Sequence, residues 1–231
     1  KKDGIFYTPE FITEFIVENS LGALCKAKKD ELGLDLNELL APKNPKKLTK
    51  AESEIKDKIY AYREWLLSLK ILDPACGSGA FLNQALEFLI SEHGALDTYR
   101  KVYEGEGLGL YDIESTILEN NLYGVDINAD AVEIARLSLW LRTAAKGRVL
   151  TDLSKNLIAA NSLLKFPFDF KFDVVIGNPP YVRQEAIKEQ KSALQEYKVY
   201  SGTADLFVYF YELGITHLKE NGLLGFICSN K

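Results

Sequence analysis

Residues 70–90, KILDPACGSGAFLNQALEFLI, decide the fold. Two apolar residues, Ile71 and Leu72, lead into Asp73 and Pro74, a loop holding Gly77 and Gly79 follows, and an apolar-periodic helix begins at once. A short buried strand, a glycine turn and a helix make the first half of a strand-helix-strand unit. The pattern then repeats. Residues 121–145, NLYGVDINADAVEIARLSLWLRTAA, give a strand, an acidic turn and a helix; LIAANSLL (157–164) is a third short strand ending in polar residues. FDVVIGNPPYV (172–182) is the fourth, and residues 202–231 give a helix, a Glu-Asn-Gly stop and a fifth strand. Near-continuous apolar strands alternating with helices predict an α/β chain whose parallel sheet is covered on both faces.

Working toward the amino terminus, Ile55, Ile59, Tyr62, Leu66 and Leu69 recur at helical spacing. LAPKNPKKLTK (40–50) is a proline- and lysine-rich connector. Before it, Ile12, Phe15, Ile16 and Leu24 predict a helix from Pro9 to about Ala27, with Thr8-Pro9 as its opening. Residues 1–69 therefore read as an amino-terminal helical part and 70–231 as the sheet domain. Residues 94–121 form an insertion of partly helical structure.

Composition narrows the function classes. The 231 residues are 47% hydrophobic and 26% charged, ordinary for a globular chain. No apolar run approaches the roughly 18 residues of a membrane span, and no membrane association is expected. Cys25, Cys76 and Cys228 are odd in number and widely spaced. With only two histidines in the chain they read as reduced thiols of a cytoplasmic protein, without metal. A net charge of −5 argues against a broad phosphate-gripping face. The chain has no Met and stops as an apolar strand ends, so it is read as a piece of a longer polypeptide.

The strand ends hold the candidate site, because open α/β sheets bind ligands beyond the carboxyl ends of their strands. Gly77 and Gly79 let a ligand approach the backbone closely. The third glycine of a dinucleotide fingerprint is missing, with Leu82 in its place. Asp73 would repel a pyrophosphate but suits an ammonium. Asp126 in GVDIN either accepts ribose hydroxyls, with Ile127 against an adenine, or caps the following helix, a role open to Asn128 as well. Asn161 and Ser162 either meet the adenine amine or merely form a loop. Asn178, Pro179, Pro180 and Tyr181 make a rigid, polar, aromatic-lined corner after the fourth strand.

These motifs in this order resemble the S-adenosylmethionine-dependent amino-methyltransferases of DNA. The similarity is strongest to the adenine-N6 enzymes of restriction-modification and phage-defence systems, including nuclease-fused (type IIG-like) forms. IFYTPEF (5–11) is similar to that family's amino-terminal cofactor motif. The resemblance implies a Rossmann-like class I methyltransferase sheet with an amino-terminal helical subdomain. It implies Phe6, Tyr7, Thr8, Asp73, Cys76, Gly77, Gly79, Phe81, Asp126, Ile127, Asn161 and Ser162 as neighbours of S-adenosylmethionine. It also implies Asn178, Pro179, Pro180 and Tyr181 as the catalytic group acting on an adenine flipped out of the duplex.

Cys76 is expected to contribute backbone rather than a nucleophile. The later strands and a target-recognition domain that would deliver the DNA duplex are missing, so the chain alone is expected not to methylate DNA specifically. Arg183, Lys188, Lys191 and Lys198 form a basic cluster on the loop after the corner, suited to phosphates beside the target. Asn-Pro-Pro-Tyr serves an RNA base or a protein glutamine amide equally well, and a cofactor-binding scaffold without turnover is the alternative from another class. Tyr-Thr-Pro and the cysteine-containing first loop favour DNA adenine.

Overall fold

The computed structural model describes residues 8–36, 42, 44–104, 113–143, 151–183 and 191–228. Helix α1 (Glu10–Val17) passes through a π-helical turn (Glu18–Gly22) into α2 (Ala23–Leu32), which stops where Gly33 turns left-handed at φ 57°. Helix α3 (Lys50–Ser68) opens with a capping box. The Thr49 side chain accepts from Glu52 N at 3.3 Å, and Thr49 N donates to Glu52 Oε2 at 2.7 Å. Strand β1 (Ile71–Asp73), α4 (Ala80–Glu104), α5 (Ile113–Asn120), β2 (Leu122–Asp126), α6 (Ala129–Thr143) and β3 (Leu157–Ala159) follow. The chain continues with β4 (Phe172–Gly177), α7 (Lys191–Leu194), α8 (Leu206–His217) and β5 (Leu218–Phe226).

The five strands are all parallel and ordered β3-β2-β1-β4-β5. This is the doubly wound α/β arrangement that the strand-helix alternation predicts. The order in which strands are added reverses between β1 and β4, the switch point where a crevice opens. Strand parity separates the two faces. Ile71, Leu122, Val174 and Ile176 join one core with Leu66, Leu82, Leu86, Ala135 and Leu139, and that core runs on into Val17, Leu21 and Ile59 of the amino-terminal helices. Leu72, Tyr123, Val125 and Val175 point the other way, into an aromatic cluster in which Tyr123 meets Phe168, Phe170 and Phe172 edge-on at 5.1–5.5 Å. Gly124 permits the close fit of α4 on β2, since a Cβ there would meet Leu82 Cδ1 at 2.8 Å.

Several details refine or differ from the sequence expectations. The first helix buries Thr13, Val17, Leu21 and Cys25, while Phe15 is 64% exposed, so its packed face is rotated from the one the aromatic residues suggest. The insertion is largely α4 prolonged to Glu104, followed by α5, with 105–112 outside the described residues. The Glu-Asn-Gly stop lies inside β5 as a bulge, because Phe172 pairs with Leu218 but Val174 pairs with Leu223. Asn221 there takes φ 64°.

The stretch after the corner, expected as a loop, contains α7 and is pinned from both sides. Tyr197 donates its hydroxyl to Leu163 O at 2.8 Å, and Glu212 accepts from the amides of Lys198 and Val199 at 2.9 and 2.8 Å. Of the basic cluster, Lys188 and the side chain of Lys191 lie outside the description. Among the described residues no helix is long and apolar enough to cross a membrane.

Candidate active site

The carboxyl ends of β1, β2, β3 and β4 meet at one edge of the sheet, and a cleft of about 400 Å3 lies against them. Its walls include Gly77, Asp126, Ile127, Asn161, Ser162, Asn178 and Pro180 from the sequence-predicted set. A cleft of that size matches a nucleoside-sized ligand.

The glycine loop is shaped by two left-handed residues, Gly77 at φ 51° and Gly79 at φ 86°. A Cβ on Gly79 would meet Ala135 Cβ at 3.0 Å, so this glycine also lets α6 pack against the start of α4. The loop is tied to β2 by two hydrogen bonds: Cys76 N donates to Val125 O at 2.9 Å and Gly77 N to Asp126 Oδ2 at 2.8 Å. Asp126 Oδ1 accepts from Asn128 N at 2.9 Å. The helix cap falls to Asn128, whose Oδ1 accepts from Asp130 N and Ala131 N at 2.9 and 3.3 Å. Asp126 thus serves the loop and the cleft, and its carboxylate retains acceptor capacity beyond the two amides.

On the third strand, Asn161 Oδ1 accepts from Leu163 N at 3.1 Å, a local turn bond. Buried Ser162 donates its hydroxyl to Pro74 O at 2.5 Å, which stitches the end of β3 to the glycine loop. At the fourth strand, Asn178 Nδ2 donates to Thr8 Oγ1 at 3.3 Å, whereas Asn178 Oδ1 is buried without a partner among the described residues. Pro179 is buried and Pro180 borders the cleft. Tyr181 donates its hydroxyl to Ile227 O at 2.9 Å, and Ile227 N donates to Gly177 O at 3.1 Å, so one β5-end residue clamps both ends of the corner. The Tyr181 ring lies 5.8 Å from that of Phe207, tilted by 48°.

Seven described residues of the predicted set do not line the cleft: Pro179 and Tyr181 of the corner, and five that sit behind its wall. Phe81 is a core residue, Gly79 packs on α6, and Thr8 is buried against Asn178. Cys76 is buried, and desolvation, reinforced by Asp73 and Asp126, pushes its thiol well above the ordinary range, which removes any thiolate nucleophile. Asp73 is 1% exposed and accepts from Ala75 N at 3.0 Å. Burial raises its carboxyl to about 8. Phe6 and Tyr7 lie outside the described residues.

The sequence reading missed Ile134, Leu206 and Phe210, which complete the apolar walls. Ile127 and Ile134 are 70% and 53% exposed and give the cleft an apolar rim. Spacing could have found Ile134, which lies seven positions after Ile127 along the start of α6. Leu206 and Phe210 share one face of α8 but carry no motif.

The sequence and the fold have counterparts in known proteins. Residues 48–164 match the model of the MmeI DNA-methyltransferase domain, and residues 120–231 that of the Eco57I restriction-modification methylase. The type II methyltransferase M.XhoI of Xanthomonas vasicola is 31% identical over 171 residues, covering 72% of this chain and 29% of the relative. The type II restriction enzyme and methyltransferase RM.Eco57I of Escherichia coli is 29% identical over 214 residues, covering 72% of this chain and 20% of the relative. The chain therefore spans less than a third of the length of these curated relatives. The solved structure of the type IIL restriction-modification enzyme MmeI in complex with DNA superposes with a TM-score of 0.61 at 18% identity, over 94% of this chain and 29% of that one. That superposition shows the shared fold, and the sequence matches show the family. The chain belongs to the DNA methyltransferases of restriction-modification systems, in the family of the MmeI DNA-methyltransferase domain.

Proposed function

We propose that this chain is the catalytic core of an adenine-N6 DNA methyltransferase that uses S-adenosylmethionine. The observation that carries the reading is Asn178 Oδ1, a buried acceptor without a partner among the described residues, on a residue that borders the cleft. Leaving such an acceptor unpaired costs roughly 1–3 kcal/mol, and an amine N–H is the partner it lacks.

The cofactor fits the residues present. Asp126 has acceptor capacity left for two ribose hydroxyls, and exposed Ile127 and Ile134 offer apolar surface to a purine. When bound, S-adenosylmethionine supplies a methyl group on a cationic sulfur. The protein's own task is to prepare the nucleophile. An exocyclic amine delocalises its lone pair into the ring and is a feeble nucleophile. Asn178 Oδ1 and the Pro179 carbonyl are the acceptors for its two N–H bonds, and holding both favours a tetrahedral nitrogen with a directed lone pair. Proline at 179 fixes the backbone that carries the second acceptor. Tyr181 offers a ring against which the extruded base stacks, offsetting the few kcal/mol of unstacking.

The DNA partner and the adenine target rest on the family and on this acceptor pair. The test is transfer of a tritiated methyl group by the protein carrying this chain to unmethylated plasmid DNA, total RNA and a glutamine-bearing protein acceptor. N6-methyladenine in the DNA digest is expected. Label confined to RNA, to protein or to cytosine would sink the reading.

A further inference from the structure

Asn178 reaches across 170 positions of sequence to Thr8, its Nδ2 donating to Thr8 Oγ1 at 3.3 Å. Thr8 is itself buried, and the fold holds it firmly. It precedes Pro9, which favours an extended conformation at Thr8 and whose carbonyl accepts the first amides of α1, from Ile12 and Thr13. Helix α1 is seated on β5 so closely that a Cβ at Gly225 would meet Ile16 Cγ2 at 2.9 Å. Just beyond, the π-helical turn adds a second contact: Ser20, bonded to Ile16 O at 2.6 Å, lies against the same glycine. The start of α1 is thus delivered to the end of β4 by packing that does not involve the cleft.

A carboxamide can be turned end for end at little steric cost, and the two orientations exchange an acceptor for two donors. For an amine target the difference is decisive. With Oδ1 unpaired, the side chain can accept a target N–H; turned over, it would oppose that N–H with its own. Resting on the reading of this site as an amino-methyltransferase, we infer that Thr8 is a positioning residue for Asn178. Its hydroxyl oxygen accepts a hydrogen bond from Nδ2 and so favours the orientation that leaves Oδ1 as the free acceptor. The resemblance implies Thr8 as a cofactor neighbour; its role through Asn178 is separate from that one, and cofactor affinity tells the two apart.

The test compares Thr8→Val, which keeps the shape and removes the acceptor, with Thr8→Ser, which restores it. Thr8→Ala replaces the first variant if valine does not fold. In the protein carrying this chain, single-turnover methyl transfer to unmethylated plasmid DNA should fall about tenfold in Thr8→Val, the loss of one modest hydrogen bond in the transition state. S-adenosylmethionine affinity by calorimetry and plasmid affinity should stay within about twofold, and Thr8→Ser should recover the rate. In parallel, NMR of protein labelled at asparagine with nitrogen-15 reads hydrogen exchange of the Asn178 side-chain amide. Exchange should be faster in Thr8→Val and unchanged in Thr8→Ser. An unchanged transfer rate in Thr8→Val, a loss that Ser does not rescue, or a loss carried wholly by weaker cofactor binding would overturn the inference. If the wild type transfers no methyl group to DNA, the functional reading fails, and the exchange measurement alone decides whether Thr8 orients Asn178.

Discussion

The Gly77 amide donates to Asp126 Oδ2 at 2.8 Å, tying the loop after β1 to the acid that ends β2. One carboxylate thereby shapes the cofactor loop and presents acceptors to the cleft. Asp126→Ala should lower affinity for S-adenosylmethionine by roughly 10- to 150-fold, the range for a charge-assisted hydrogen bond worth about 1.5–3 kcal/mol. Asp126→Asn should fall between the two, since its single oxygen must choose between loop and ligand. Calorimetry giving wild-type affinity for the alanine variant would remove Asp126 from the ribose site.

Asn178→Ala in the protein carrying this chain should reduce methyl transfer at least 100-fold, the scale for losing a preorganised donor or acceptor aimed at the transition state. Cofactor affinity should change little, because Asn178 is assigned to the target amine. Burst kinetics with a separate cofactor titration tell these apart. Equal losses in binding and transfer would show that Asn178 addresses the cofactor instead.

How much of this was legible in the sequence depends on whether a residue's neighbours lie along the chain or across it. The strand ends could be read because each carries its own signature: glycines at 77 and 79, an acid at 126, Asn-Pro-Pro-Tyr at 178–181. Their convergence follows from parallel topology alone. The cleft walls could not be read, because Leu206 and Phe210 are apolar residues on an apolar helix and look like core. The packed face of α1 was missed because Phe11 and Phe15, at 69% and 64% exposure, stand outside the buried Thr13-Val17 line. Asp73 was legible as an acid but not as a buried one. Among its neighbours is Gly177 of β4, about a hundred residues later.

Gly177 supplies the next test. A Cβ there would stand 2.7 Å from Asp73 Oδ1, so Gly177→Ala forces the carboxyl or the strand to move. Overpacking of this kind should destabilise the fold by roughly 1–3 kcal/mol in chemical denaturation, and the strain of a side chain at φ 157° adds to it. The clash is with a side chain, so it should shrink when that side chain does. In an Asp73→Ala background the same substitution should cost less, with a coupling of about 0.5 kcal/mol or more. Strict additivity would mean that the strain lies in the Gly177 backbone rather than in contact with Asp73.

The buried Asp73 carboxyl also sets a pH dependence whose sign is fixed. Burial raises it from 3.8 to about 8 in the folded chain, the Ala75 amide opposing and the charge of Asp126 adding to the rise. Between roughly pH 4 and pH 8 the folded state therefore binds a proton that the unfolded state has already released. Stability from this group is fully present below pH 4 and declines as pH rises through that window, by at most about 1.4 kcal/mol per pH unit. Asp73→Asn, which cannot ionise, should flatten that part of the stability profile measured by urea denaturation. An ammonium placed beside Asp73 would reverse the preference and expel the proton. At pH 6.5, S-adenosylmethionine binding should then release close to one proton, read as a dependence of the binding enthalpy on the buffer's ionisation enthalpy. Release that persists in Asp73→Asn would trace the proton to another group. Binding with no release in the wild type would separate Asp73 from the ammonium and leave it a buried structural acid.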